Sequence, residues 1–120
     1  MRESEIAENI KKYSASDSCP VRNVVARFSG KWSMLVLCLL SENAATRFSA
    51  IGKAVPDISP KVLTETLRSL EAAGLINRHQ YGGIPPRVEY SLTDLGRSLM
   101  PHINGLIGWA AEHFDAITSR

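Results

Sequence analysis

Lys61, Thr64 and Arg68 fall on one arc of an amphipathic stretch, and together they carry the chemistry needed to read a nucleic acid. A lysine supplies charge for phosphate, and a threonine hydroxyl can meet phosphate or base. An arginine guanidinium can fork onto the acceptor edge of guanine. Ser59 opens the same stretch, where the free N–H groups of a helix start can hold a phosphate. Glu65 shares the arc; it is unfavourable beside phosphate but could accept from a cytosine amino group. Arg87 follows the turn Gly82-Gly83-Ile84-Pro85-Pro86, where it could enter a minor groove or meet backbone. Arg47 joins this set from a basic stretch, Val21 to Lys53, in which Arg22, Arg27, Lys31, Arg47 and Lys53 face a single acid, Glu42.

These residues need particular elements to hold them. Ser59 caps a helix with Pro60 in its first turn. Leu63, Leu67 and Leu70 form its apolar arc, opposite Lys61, Thr64, Glu65, Arg68 and Ala72. Gly74 ends that helix in the left-handed conformation, and Leu75 packs back on it. Leu75 to Tyr81 and Arg87 to Leu92 read as strands; Val88, Tyr90 and Leu92 alternate with Arg87, Glu89 and Ser91. Before them, Pro20 opens a helix to which Val21, Val24, Val25 and Phe28 give an apolar side. Lys31 to Leu40 is apolar nearly all round and should be buried on most sides, with Trp32 plugging the core. Thr46 can cap a short third helix carrying Phe48, Ile51 and Val55. After the strands, Thr93 caps a long helix with Asp94 at its positive end, and Pro101 predicts a kink or break. The segment before Ser16 reads as frayed, or as a short helix around Glu5 to Tyr13.

Two helices with a short turn between them, followed by a ribbon, describe a winged helix-turn-helix: mainly α with a small β-hairpin. The chain reads as one domain over residues 1–120, with an N-terminal arm at 1–19 and a terminal helix at 98–120. A formal net charge of +2 says little by itself; its distribution places the basic half toward phosphate. No apolar run approaches the roughly 20 residues of a membrane span. The charged start, Met1-Arg2-Glu3-Ser4-Glu5, lacks the apolar core of a signal peptide, so a cytoplasmic location is expected. His79, His102 and His113 are scattered, and no Cys or His pair has metal-ligand spacing. Nucleophile elbow, phosphate loop and paired-acid signatures are absent, so neither an enzyme nor a cofactor is expected.

At this point the chain resembles the HxlR-type transcriptional regulators, a branch of the MarR-like winged helices. The resemblance rests on Cys19-Pro20, Gly30-Lys31-Trp32-Ser33, Arg47-Phe48, the run Ile58 to Thr64, Leu67 to Ile76, Pro85 to Gly96, and Trp109. It implies a homodimer binding inverted-repeat operators.

A dimer also follows from the residues. Ile103, Ile107, Ala110, Phe114 and Ile117 make an apolar stripe with little left to cover inside one subunit, and an identical stripe is its simplest partner. Residues 1–19 and 98–120 would then serve dimerisation. Cys19 stands at a helix start with Arg22 one turn on, which favours thiolate, while Asp17 opposes it. The resemblance implies that the cysteine of this Cys-Pro pair senses oxidants or electrophiles; an inert capping cysteine is the alternative. Cys38 reads as a small core residue. Two other readings stay open. One is a regulator with a pocket for an apolar effector, lined by Tyr13, Phe28, Trp32, Trp109 and Phe114 at the dimer seam. The other is a winged helix used for protein contacts.

Overall fold

The computed structural model describes residues 2–13 and 19–119. Helix α1 spans Glu3–Tyr13, with Glu3 and Glu5 in its first turn and Lys11 and Lys12 in its last, the charge order that a helix dipole favours. Its described side chains are exposed. Of the residues read as frayed or helical at this end, those at 14–18, Asp17 included, lie outside the described residues, as does the side chain of Tyr13.

The next helix is shorter than its sequence suggests. Helix α2 is Pro20–Asn23, followed by a separate 3-10 turn, Val25–Arg27. On its apolar side Val21, Val24 and Val25 are exposed, and Phe28 is half-buried. Helix α3, Lys31–Ser41, buries Val36, Leu37 and Leu40, but Leu35 is 48% exposed. It therefore has one dry face and is not enclosed. Trp32 is only partly buried, with the Lys31 ammonium 4.4 Å from its ring centroid.

Strand β1 is the pair Thr46–Arg47, and helix α4 is Phe48–Ala54. Thr46 does not cap α4. It pairs with Tyr90 across a sheet, and its buried hydroxyl has no partner among the described residues. Arg47 takes the N-cap position without a side-chain bond.

Helix α5, Pro60–Ala72, follows its sequence closely. The Ser59 Oγ accepts the Val62 N–H at 3.1 Å, and Leu63, Leu67 and Leu70 are wholly buried. At the other end, Gly74 N–H donates to Glu71 O at 2.9 Å and Leu75 N–H to Leu70 O at 3.0 Å. That double bond is the Schellman arrangement, and Gly74 supplies the φ of +77° it demands.

Strands β2, Ile76–Tyr81, and β3, Arg87–Leu92, pair antiparallel from Ile76↔Leu92 to Tyr81↔Arg87. With β1 they form a sheet in the order β1-β3-β2. The face carrying Ile76, Tyr90 and Leu92 closes the core over α3, α4 and α5.

Helix α6, Asp94–Glu112, runs through Pro101 without a break, and the chain interrupts instead at His113, before α7, Phe114–Thr118. Thr93 caps α6, accepting from Gly96 N–H at 3.0 Å. Gly96 lies so close to the Leu75 carbonyl that an added Cβ would collide with it. Met100 and Ile103 are buried. Ile103, expected in a stripe facing a second subunit, is 0% exposed and belongs to the subunit's own core. No single helix among the described residues is long and apolar enough to cross a membrane.

Candidate nucleic-acid interface

Because Leu63, Leu67 and Leu70 turn one side of α5 inward, the opposite side is fixed outward. Lys61, Glu65 and Arg68 are exposed there, and Thr64 is half-buried. The Thr64 hydroxyl donates to Pro60 O at 2.8 Å, which leaves its oxygen lone pairs as the outward-facing function. The Ser59 oxygen is engaged in the helix cap. Arg68 forms no hydrogen bond or ion pair among the described residues. Helix α4 meets α5 near Gly52, where a Cβ would sit 3.7 Å from Leu63 Cδ2. These two helices are the helix-turn-helix.

The ribbon stands beside α5. Its residue pairs put Arg78 opposite Tyr90 and Gln80 opposite Val88, on the face that begins with Ile76 and Leu92. That face runs from core to solvent as the strands leave the domain. On the other face, the Arg87 guanidinium lies 4.5 Å from the Tyr81 ring centroid, with Nε 3.4 Å from Glu89 Oε1. Both contacts hold Arg87 in place while leaving its side chain 47% exposed.

Two clefts bring the candidates together. One, of about 460 Å³, has Thr64, Arg68 and Glu71 on its α5 wall and Arg78 and Tyr90 on its ribbon wall. The other, of about 410 Å³, gathers Arg47, Ser49, Pro86 and Arg87. Ser59 and Lys61 line neither. Arg78 was not apparent as a candidate from sequence. The alternation of β2 (Ile76, Arg78, Gln80 on one face) was the signal that could have found it, but with only Ile76 buried in that strand the pattern is faint.

The thiols are free and placed differently. Cys19 is 2% exposed, and its side chain makes no cap bond to α2; its carbonyl accepts from the Asn23 amide. Cys38 is half-buried, and its thiol is pushed above its ordinary value, first by burial and then by the Glu42 carboxylate. Among the described residues no group of three His, Cys, Asp or Glu could hold a metal ion. His79 faces Glu89 in the ribbon register. His113 stacks on Trp109 at 4.6 Å, its Nδ1 2.9 Å from the Trp109 carbonyl.

Among the described residues of one subunit, a single member of the aromatic set expected at a dimer-seam pocket lines a cavity. Phe28 lines an apolar cavity of about 290 Å³, with Val24, Ala73, Leu75, Leu95 and Leu99 around it and Arg27 and His102 among its lining residues. Trp32, Trp109 and Phe114 stand outside it.

The profile described as HxlR-like helix-turn-helix matches residues 27–118, most of the chain. The chain belongs to the HxlR family. An HTH-type transcriptional regulator of Methanothermobacter thermautotrophicus is 47% identical over 91 residues, covering 76% of this chain and 69% of that one. YtcD of Bacillus subtilis, also described as an HTH-type transcriptional regulator, is 39% identical over 107 residues, 89% of this chain and 81% of its own. Among solved structures, the redox regulator HypR in its reduced form superposes with a TM-score of 0.78 at 34% identity, covering 84% of this chain and 99% of that one. Its oxidised form gives 0.72 at 35%, covering 78% and 96%. The HxlR match takes in the helix pair, the ribbon and α6, and it leaves α1 and Cys19 outside. The relatives are regulators, and this HxlR-type chain is a regulator with a winged helix-turn-helix rather than an enzyme.

Proposed function

We propose that this HxlR-type regulator works in the cytoplasm as a homodimer on inverted-repeat DNA. In this reading Lys61, Thr64 and Arg68 lie in the major groove, Arg47 and Arg87 meet the flanking strand, and Ser59 sits at the phosphate nearest the helix start. The observation that carries it is the outward face of α5, held by a Ser59 cap and a buried leucine face beside a basic ribbon.

The dimer reading is supported by the far end of α6 and by α7. Trp109 is 54% exposed and Phe114 is 61% exposed, with Leu106, Ile107, Ala110 and Ile117 also exposed. Large apolar side chains in such a row are covered most simply by the same row of a second copy. Ultracentrifugation at micromolar concentration should give a dimer, and a mobility shift with the DNA upstream of the protein's own gene should weaken steeply as salt rises. A monomer, or a complex insensitive to salt, would count against it. Salt-independent behaviour with no DNA bound would instead favour a winged helix for protein contacts.

Two forms of switching have support. HypR is known in reduced and oxidised forms, and Cys19 is a free thiol at the start of α2. Oxidation would join two Cys19 thiols from separate subunits, passing two electrons and two protons to the oxidant. The burial of Cys19 means that its segment must open first. The second form is an apolar effector in the cavity beside Phe28, which touches Ala73 at the end of α5. A non-reducing gel after mild oxidant, wild type against Cys19→Ser, separates the two. Identical monomer bands and unchanged DNA binding in both proteins would remove the thiol switch.

A further inference from the structure

Phe48 and Val88 line both clefts of the interface. The clefts therefore adjoin: one lies between α5 and the ribbon, the other at the start of α4 beside the end of the ribbon. Arg68 and Arg78 stand on opposite walls of the first cleft, the groove between α5 and the ribbon, and Arg47 and Arg87 line the second. Glu71 is the acid among the lining residues, and it forms no ion pair with either arginine. Arg68 and Arg47 have no partner among the described residues, and Arg78 has only a long 3.4 Å bond to the exposed Gln80.

We infer that this groove is a track for the sugar-phosphate backbone of one DNA strand, in which Arg68 and Arg78 close on the same run of phosphates from opposite walls. The inference rests on the DNA-binding reading above and deepens it in two ways. Arg78 becomes a DNA-binding residue, and Arg68 becomes a backbone clamp rather than a reader of bases. The chemistry of the groove matches such a ligand. Guanidinium groups meet phosphate oxygens through two parallel bonds, and arginine sheds water more easily than lysine. Phe48 and Val88 add apolar surface to the same lining, suited to the sugars between phosphates. Unpaired arginines facing one another repel, and an anion between them removes that repulsion. The geometry also explains why Arg68 sits high on α5, nearer its C-terminal end than Lys61 and Thr64: the ribbon wall with Arg78 is there.

The test uses the full chain and two duplexes: one of mixed sequence, and one selected by the wild type from a random duplex library. Arg78→Gln and Arg68→Ala should each weaken binding to both duplexes by the same factor, about tenfold. The slope of log affinity against log salt should become shallower by about 1 for each bound subunit. Arg78→Lys should keep the wild-type slope, which shows that charge and not folding is read. Glu71→Gln should tighten binding to both duplexes. A repeat selection with Arg68→Ala should return the wild-type sequence. Wild-type binding that is unaltered in affinity and slope by Arg78→Gln would overturn the groove and leave the DNA reading intact. So would a loss of base preference at one position with Arg68→Ala. Failure of the wild type itself to bind either duplex would overturn both.

Discussion

The Thr93 hydroxyl donates to the Gly74 carbonyl at 2.7 Å while accepting the Gly96 N–H at 3.0 Å. One side chain thus ties the end of α5 to the start of α6, and the Thr93 N–H adds a bond to Leu75 O at 3.1 Å. The proposed recognition helix and the helix proposed to meet a second subunit are fixed to each other through this residue. Thr93→Val should destabilise the fold by about 1–2 kcal/mol in urea denaturation, since it removes a helix cap and the bond to Gly74. Gly96→Ala should cost more, because the Leu75 carbonyl occupies the space of the new methyl.

Leu67 on α5 is wholly buried in the core, while Arg68 beside it is exposed. Leu67→Ala should lower stability by roughly 2–5 kcal/mol. A lowered denaturation midpoint with an unchanged slope would show lost core stability rather than a changed denatured state.

The apolar residues of α6 and α7 separate into two classes. Phe114→Glu places a charge in the exposed row and should convert the proposed dimer to monomer in ultracentrifugation while the melting of the subunit changes little. Ile103→Ala should do the opposite, destabilising the subunit by roughly 2–5 kcal/mol. Equal effects of the two substitutions on assembly would argue against this division.

Cys38 gives a pH dependence of known sign. Its thiol is held above the ordinary value of 9.0 by burial and by Glu42, so the folded chain holds this proton more tightly than the unfolded chain. The stability it contributes is complete below 9.0 and declines as pH rises through the folded value. Urea midpoints should therefore fall at alkaline pH, and Cys38→Ala should reduce that fall. Iodoacetamide should modify Cys38 more slowly than a free thiol at pH 8 to the same extent that the thiolate is suppressed.

Sequence was most informative where local chemistry decides the structure. The Ser59 cap, the leucine face of α5, the glycine stop at Gly74 and the Thr93 cap are each set by residues within a turn of one another, and each stands as read. Legibility failed where a distant strand intervenes. Thr46 has the chemistry of a cap, yet pairing with Tyr90 draws it into the sheet. Pro101 forbids one N–H bond, but α6 continues because Met100 and Ile103 anchor both sides of it in the core. Ile103 and Ile107 share a helical stripe, and only the fold tells that one is inside and the other outside. Arg78 was not legible for a related reason: what places it in a cleft is α5 on the other wall, and nothing in β2 announces that neighbour.

The most direct test of the account is a hydroxyl-radical footprint of the wild-type protein on the selected duplex. Two symmetric recognition helices predict two protected patches related by the operator's two-fold symmetry, with centres one helical turn of about 10–10.5 base pairs, or a multiple of it, apart. A single protected patch, or protection without that spacing, would contradict a homodimer reading DNA through paired α5 helices.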